Sequence, residues 1–223
     1  MSDLPALVSS PTGVALPAVA TEPLTVSGPA GPLEALVEIP AGFDGAQIAL
    51  VLHPHPLFGG TMTNKVVHMA ARALHERGFA TLKFNFRGVG SSAGEFDHGI
   101  GETEDALAAV DYVVSRWPGA QLSLIGFSFG SYVAFRAALR CEIRQLILIA
   151  PPVKRFEYGS LSLPTVPWVV IQGDNDEVVS CADVRAWAAQ LTPPPRLEVM
   201  SGAGHFFHGR LLDLKALVQA VLV

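Results

Sequence analysis

The apolar residues divide the chain into short buried strands and amphipathic helices. Two β-like runs, 24–27 and 33–39, flank the turn GPAGP and predict a hairpin. QIALVLH at 47–53 is apolar without alternation, the pattern of a strand covered on both faces. Helical spacing over 66–77 ends at Gly78, a residue suited to a helix C-terminus. A strand over 79–86 follows, then an amphipathic helix over 102–117 with an acidic first turn and Pro118 as its stop. The alternation continues with strand 121–127, helix 128–140, strand 144–150, strand 168–172, helix 182–190, strand 196–200 and helix 211–223. Buried strands alternating with helices predict an α/β protein, a doubly wound and mostly parallel sheet of about eight strands with helices on both faces. No repeat or linker interrupts the pattern. Residues 21–223 therefore read as one domain, behind an Ala/Pro-rich lead at 1–20 that is expected to be ordered only where it touches the body.

Composition narrows the classes. Half of the 223 residues are hydrophobic and 16% are charged, which excludes a disordered chain and allows a large core. A mean hydropathy of +0.38 raises the question of membrane spans. The charge-free runs at 4–21, 45–64 and 117–135 are each broken by prolines, glycines or serines, and the first lacks the basic segment of a signal peptide. A cytoplasmic protein with no membrane partner is expected. Fifteen Lys and Arg against twenty Asp and Glu give a net charge of −5, with no basic stripe to attract nucleic acid. Cys141 and Cys181 are too few for a disulfide framework and read as reduced thiols. The pattern fits a monomer and a homodimer equally.

The main chemical signal is GFSFG, 126–130. A chain with this many Gly and Ser matches G-x-S-x-G about 0.12 times by chance, so context has to decide. LSLI precedes the run as a strand and SYVAFRAAL follows it as a helix. That is the setting of a nucleophile elbow, where small residues let strand and helix approach while Ser128 projects its hydroxyl. A serine hydroxyl needs a base, and the chain order expected with such an elbow is Ser, acid, His. His205, in the Gly-rich loop SGAGHFF, fits the base, with His208 as a rival. The acid comes from QGDNDEVV, where Asp174, Asp176 and Glu177 compete and position alone does not choose. Phe129, after the nucleophile, offers one oxyanion-hole N–H. The second is expected from HPHPLFGG; Pro54 and Pro56 have no N–H, leaving His55 or Leu57. HPH is too sparse for a zinc site without a further Cys or carboxylate cluster, so no metal is expected and His53 and His55 read as structural or site-lining. GVGSSA, 88–93, fits a dinucleotide-binding pattern, but GEFDHGIG intervenes before the next helix and no strand-end acid follows. No cofactor is expected.

HPHPLFGGTMTNK, FNFRGVGSSAGEFDHGIGE, GFSFG, QGDNDEVV and GAGHFF together resemble the α/β-hydrolase superfamily, from about residue 21 to the C-terminus. Within it they are similar to short, lidless bacterial serine hydrolases near the dienelactone hydrolase-like group. The resemblance implies an α/β-hydrolase fold with Ser128 as nucleophile, Asp176 rather than Asp174 as acid, His205 as base, and Phe129 with His55 as oxyanion donors. Dienelactone hydrolases carry Cys where this chain has Ser128, so that lactone activity is not implied. Arg87, in the loop after the fourth strand, reads as structural. The family's cap is normally inserted before the strand that bears the acid. Here only residues 151–167 fill that place, too few for a cap domain, so the site should be open. The expected activity is cleavage of esters or thioesters of small or exposed acyl substrates. The same triad would serve a peptidase or an acyltransferase. A catalytically silent interaction protein is the reading from another class.

Overall fold

A computed structural model describes residues 18–159 and 161–223. Most of the expected lead, residues 1–17, lies outside the described residues. The elements are β1 (Val19–Gly28), β2 (Gly31–Pro40), β3 (Gln47–Leu52), a 3-10 turn at Pro56–Phe58, α1 (Lys65–His75), β4 (Ala80–Phe84), α2 (Ile100–Arg116), β5 (Gln121–Phe127), α3 (Phe129–Ala138), β6 (Gln145–Ile149), β7 (Trp168–Gly173), α4 (Cys181–Gln190), β8 (Arg196–Met200) and α5 (Leu211–Val221). They form one eight-stranded sheet in the order β1-β2-β4-β3-β5-β6-β7-β8. The β1–β2 and β2–β4 pairs are antiparallel and the remaining pairs are parallel.

The strand period of two sorts the core into two layers. Ile48, Leu50 and Leu52 of β3 face α2 and α3, packing with Ala106, Ala109, Val113, Val133 and Ala137. Ala49 and Val51 face the opposite way, toward α1 and α5 and their Val66, Ala70, Leu74, Leu214 and Val218. Both faces are thereby covered, which explains why the central strands read as unbroken apolar runs. Helices cover both faces of a mostly parallel sheet, the α/β architecture expected.

Two departures have physical causes. The hairpin strands are ten residues each, longer than the apolar runs, and β1 begins at Val19, before the expected domain start. β1 is an edge strand, mostly exposed and pairing only with β2, so it tolerates Pro23 and polar residues that mask it in a hydrophobicity pattern. Ser128 does not open α3 but caps it, because its φ of 52° and ψ of −120° are not helical. Among the described residues between β6 and β7 there is neither helix nor strand. This connection is held down by Tyr158, buried against the rings of Tyr132, Phe135 and Trp187, and by Phe156, stacked on Tyr132 at 4.7 Å. No cap domain is present there. Among the described residues no helix is long and apolar enough to cross a membrane.

Candidate active site

β5, β7 and β8 deliver the site's main residues just beyond their C-terminal ends, where parallel α/β sheets place their crevices. At the end of β5 the chain turns sharply into α3. The Ser128 N–H donates to the Ile149 carbonyl (2.8 Å), and its backbone sits in a sparsely populated conformation. Ser131 supports the turn by donating its hydroxyl to the Ser128 carbonyl (2.5 Å). The turn closes only because its flanks lack side chains. A Cβ on Gly126 would lie 2.2 Å from the Gly130 carbonyl oxygen, and one on Gly130 would lie 2.5 Å from the carbonyl oxygens of Leu52 and His53. The G-x-S-x-G pattern is therefore a packing requirement between β3, β5 and α3.

His205, in the loop between β8 and α5, reaches Ser128 across the sheet end. Its Nε2 is 3.1 Å from Ser128 Oγ, and its Nδ1 is 2.9 Å from Asp176 Oδ2. A carboxylate only accepts, so Nδ1 carries the proton and Nε2 presents a lone pair to the serine hydroxyl. The ring lies 5.2 Å from Phe127 and 5.0 Å edge-on from Phe206, and His205 is buried. The Asp176 side chain is wholly buried. Burial alone would raise its pKa. The hydrogen bond from His205 and those from the Val178 and Val179 amides outweigh that and hold it below the ordinary carboxylate value. The amides donate to Oδ1 at 2.8 and 2.7 Å.

The other two acids of this loop are occupied elsewhere. Exposed Asp174 accepts the Gly202 N–H (2.6 Å) and bridges two loops. Glu177 accepts the His205 backbone N–H (3.1 Å), so it positions the loop rather than the ring. His208 is exposed and packs its ring against Phe206.

The loop after β3 forms the facing wall. His53 is fully buried; its Nδ1–H donates to the Pro54 carbonyl (2.7 Å) and its Nε2 accepts the Phe86 N–H (3.0 Å), tying the loops after β3 and β4 together. Burial pushes its pKa down to about 4 and keeps the ring neutral. The Leu57 N–H donates to His55 Nδ1 (3.2 Å), so it is already engaged. The His55 N–H donates to no protein group among the described residues. Phe129 is the first residue of α3, where an N–H has no acceptor within its helix. The His55 ring sits 4.8 Å from Phe58 and Phe96 and 5.0 Å from Phe129, and burial, reinforced by the Arg155 guanidinium and by proximity to His98, lowers its pKa.

Ser128, Phe129, His55 and His205 line one pocket of about 330 Å³. Phe58, Phe156, Phe206, Val178 and Val179 give it apolar walls, and Arg155 adds a guanidinium. Arg87 is elsewhere, clamping buried Asp105 through two hydrogen bonds of 2.9 and 2.8 Å. The GVGSSA run is loop, and α2 begins only at Ile100. Among the described residues no group of three His, Cys, Asp or Glu is placed to ligate a metal.

Comparison with known proteins places this geometry in a family. Residues 57–164 match a family model described as serine aminopeptidase, S33. An uncharacterized protein of Rickettsia prowazekii is 39% identical over 207 residues, 88% of this chain and 87% of its own. An α/β serine hydrolase without lid from Xanthomonas campestris is 46% identical, with a TM-score of 0.86 over 90% of this chain and 92% of that one. A serine hydrolase homologue from Coxiella burnetii is 44% identical, with a TM-score of 0.87 over 91% and 97%. The chain belongs to the α/β-hydrolase superfamily. It is a lidless member, like the Xanthomonas campestris serine hydrolase.

Sequence reasoning on this α/β hydrolase passes over two residues. Gln172, at the end of β7, is fully buried, and its two amide N–H bonds are shared among Asp176 Oδ2 (3.0 Å), the Val179 carbonyl (3.0 Å) and the Gly173 carbonyl (3.1 Å). Its signal was a lone amide at the end of the apolar strand WVVIQG. Arg155 is the other; nothing in PPVKRFEY marks it as facing the site.

Proposed function

We propose that this protein is a serine hydrolase that cleaves carboxylic esters and thioesters of small or exposed acyl groups through an acyl-enzyme on Ser128. The observation that carries the reading is the unbroken hydrogen-bond chain from Ser128 Oγ to His205 to Asp176, at 3.1 and 2.9 Å. Both lie within the reach that general-base catalysis requires. Ser128 Oγ attacks the acyl carbon while its proton passes to His205 Nε2. The carbonyl oxygen becomes an oxyanion, received by the Phe129 and His55 N–H groups; Leu57 is set aside because its N–H is already engaged by the His55 ring. Imidazolium, stabilised by Asp176, then gives its proton to the departing alcohol or thiol. Water then attacks the acyl-enzyme while its proton passes to His205 Nε2, and that proton is returned to Ser128 Oγ as the acyl–Oγ bond breaks and the acid leaves.

The aminopeptidase description of the matching family raises an amide-cleaving alternative. An aminopeptidase needs an anionic group to hold the free α-ammonium of its substrate. No Asp or Glu lines the pocket, and Arg155 would repel that ammonium, so the ester reading is preferred. The test is covalent labelling of Ser128 by a fluorophosphonate, paired with turnover of p-nitrophenyl esters, acyl thioesters and aminoacyl anilides. Labelling with ester turnover is expected. Preference for the anilides, or labelling that survives Ser128→Ala, overturns the reading.

A further inference from the structure

We infer that the site selects acyl substrates that carry a second, anionic oxyacid group, held by Arg155; this rests on the ester-hydrolase reading of Ser128. Arginine side chains in this protein are almost all committed. Among the described residues every arginine except Arg155 and Arg185 donates to, or pairs with, a carboxylate, hydroxyl or carbonyl of the protein. Of those two, only Arg155 lines the pocket that holds Ser128 and His205. No acidic side chain lines that pocket, so the Arg155 charge is uncompensated within it. Its field is felt there: together with burial it depresses the pKa of His55 on the opposite wall.

The position suits an elongated substrate. A second cavity of about 130 Å³ adjoins the first and shares Pro152, Arg155, Val178 and Val179 with it. Lys154 lines this second cavity, alongside Asp183. A substrate whose acyl carbon sits at Ser128 and whose chain runs past Val178 would bring a terminal anion to Arg155, with Lys154 beyond. The aromatic and aliphatic walls contact the intervening carbons, and a guanidinium fork binds a carboxylate or phosphate through two parallel hydrogen bonds. Arg155 is itself exposed, so water and salt partly screen that contact. The shared chemistry is an oxyanion at the far end of a short acyl chain, either a carboxylate or a phosphate-type group.

The experiment compares three p-nitrophenyl esters of similar length: the valerate, the mono-ester of glutarate, and the ester of 4-phosphonobutanoate. The first is neutral; the others separate carboxylate from phosphate-type recognition. Wild-type protein is expected to favour one or both anions over valerate in kcat/KM, chiefly through KM, and the preference should shrink as salt is raised. Arg155→Gln should lower the anion-to-neutral ratio by about twofold to fivefold, the value of a solvent-exposed ion pair. Arg155→Lys should recover part of it. A ratio that Arg155→Gln leaves unchanged overturns the inference, even if every ester is hydrolysed. Calorimetric binding of monoethyl glutarate against diethyl glutarate to Ser128→Ala protein, with and without Arg155→Gln, reads the anion site without turnover. An Arg155-dependent preference in binding with no hydrolysis of any ester keeps the anion site and removes the hydrolase reading. Absence of that preference in the binding measurement likewise overturns the inference.

Discussion

Asp176→Asn is the most informative single change, because each carboxylate oxygen of Asp176 already receives donors. Oδ1 accepts the Val178 and Val179 amides, and Oδ2 accepts His205 Nδ1–H and the Gln172 amide. Asn has one acceptor oxygen and one NH2. Whichever way it turns, its NH2 meets N–H groups. Turned toward the backbone amides, it leaves both without an acceptor, at about 1–3 kcal/mol for the amide of buried Val179 and less for that of exposed Val178. Turned toward His205, it forces the imidazole to give up the Nδ1 proton and carry it on Nε2, facing Ser128. That histidine cannot accept the serine proton. The corresponding acid-to-amide change in a serine protease triad lowers kcat by about 10⁴, or about 5.5 kcal/mol of barrier. Asp174→Asn is the control, since an amide oxygen can still accept the Gly202 N–H. Its kcat should stay within about threefold of wild type, as expected for an exposed change that keeps its hydrogen bond. The assay is steady-state p-nitrophenyl acetate hydrolysis on variants whose circular dichroism and urea midpoints confirm folding. If Asp176→Asn retains more than about a tenth of kcat, or Asp174→Asn costs as much, the assignment of the acid is wrong.

Three further outcomes are expected. Gly130→Ala should destabilise by about 3 kcal/mol or more in urea, because backbone carbonyls 2.5 Å from the new Cβ cannot rotate away, whereas Gly159→Ala, in open space, should be near neutral; equal midpoints for the two would refute the packing account of the elbow. His53 and His75 are held neutral, with pKa values pushed down to about 4 chiefly by burial. Between about pH 6.5 and 4 the unfolded chain binds protons that the folded chain does not, so stability should fall as pH falls through this window, by up to about 3 kcal/mol per histidine, and level off for these groups below it; a flat urea-derived stability from pH 7.5 to 4.5 contradicts this. With no cap over Ser128, short-chain activated esters should react well, long acyl chains should gain little, and rates should pass smoothly through the critical micelle concentration; a jump there, measured from acetate to palmitate esters, would refute the open site.

Local chemistry carried much of this protein. Unbroken apolar runs marked the strands that are covered on both faces, and GFSFG marked the elbow because its glycines are demanded by contacts at 126 and 130 that no other residue permits. Chain order pointed to His205, since the loop between the last strand and the last helix is short and His208 was its only competitor. What spacing could not do was choose among Asp174, Asp176 and Glu177. All three leave the end of β7 within four residues, and which one turns inward depends on the amides of Val178 and Val179 and on Gln172 beneath them. Edge position hid the length of β1, because a strand paired on one side and largely exposed has no apolar pattern to display. Arg155 was invisible for a related reason: its neighbours in sequence are ordinary loop residues. Its neighbours in space, Ser128 and His205, are brought to it by the adjacency of β5, β6, β7 and β8, a property of strand order rather than of any local run of residues.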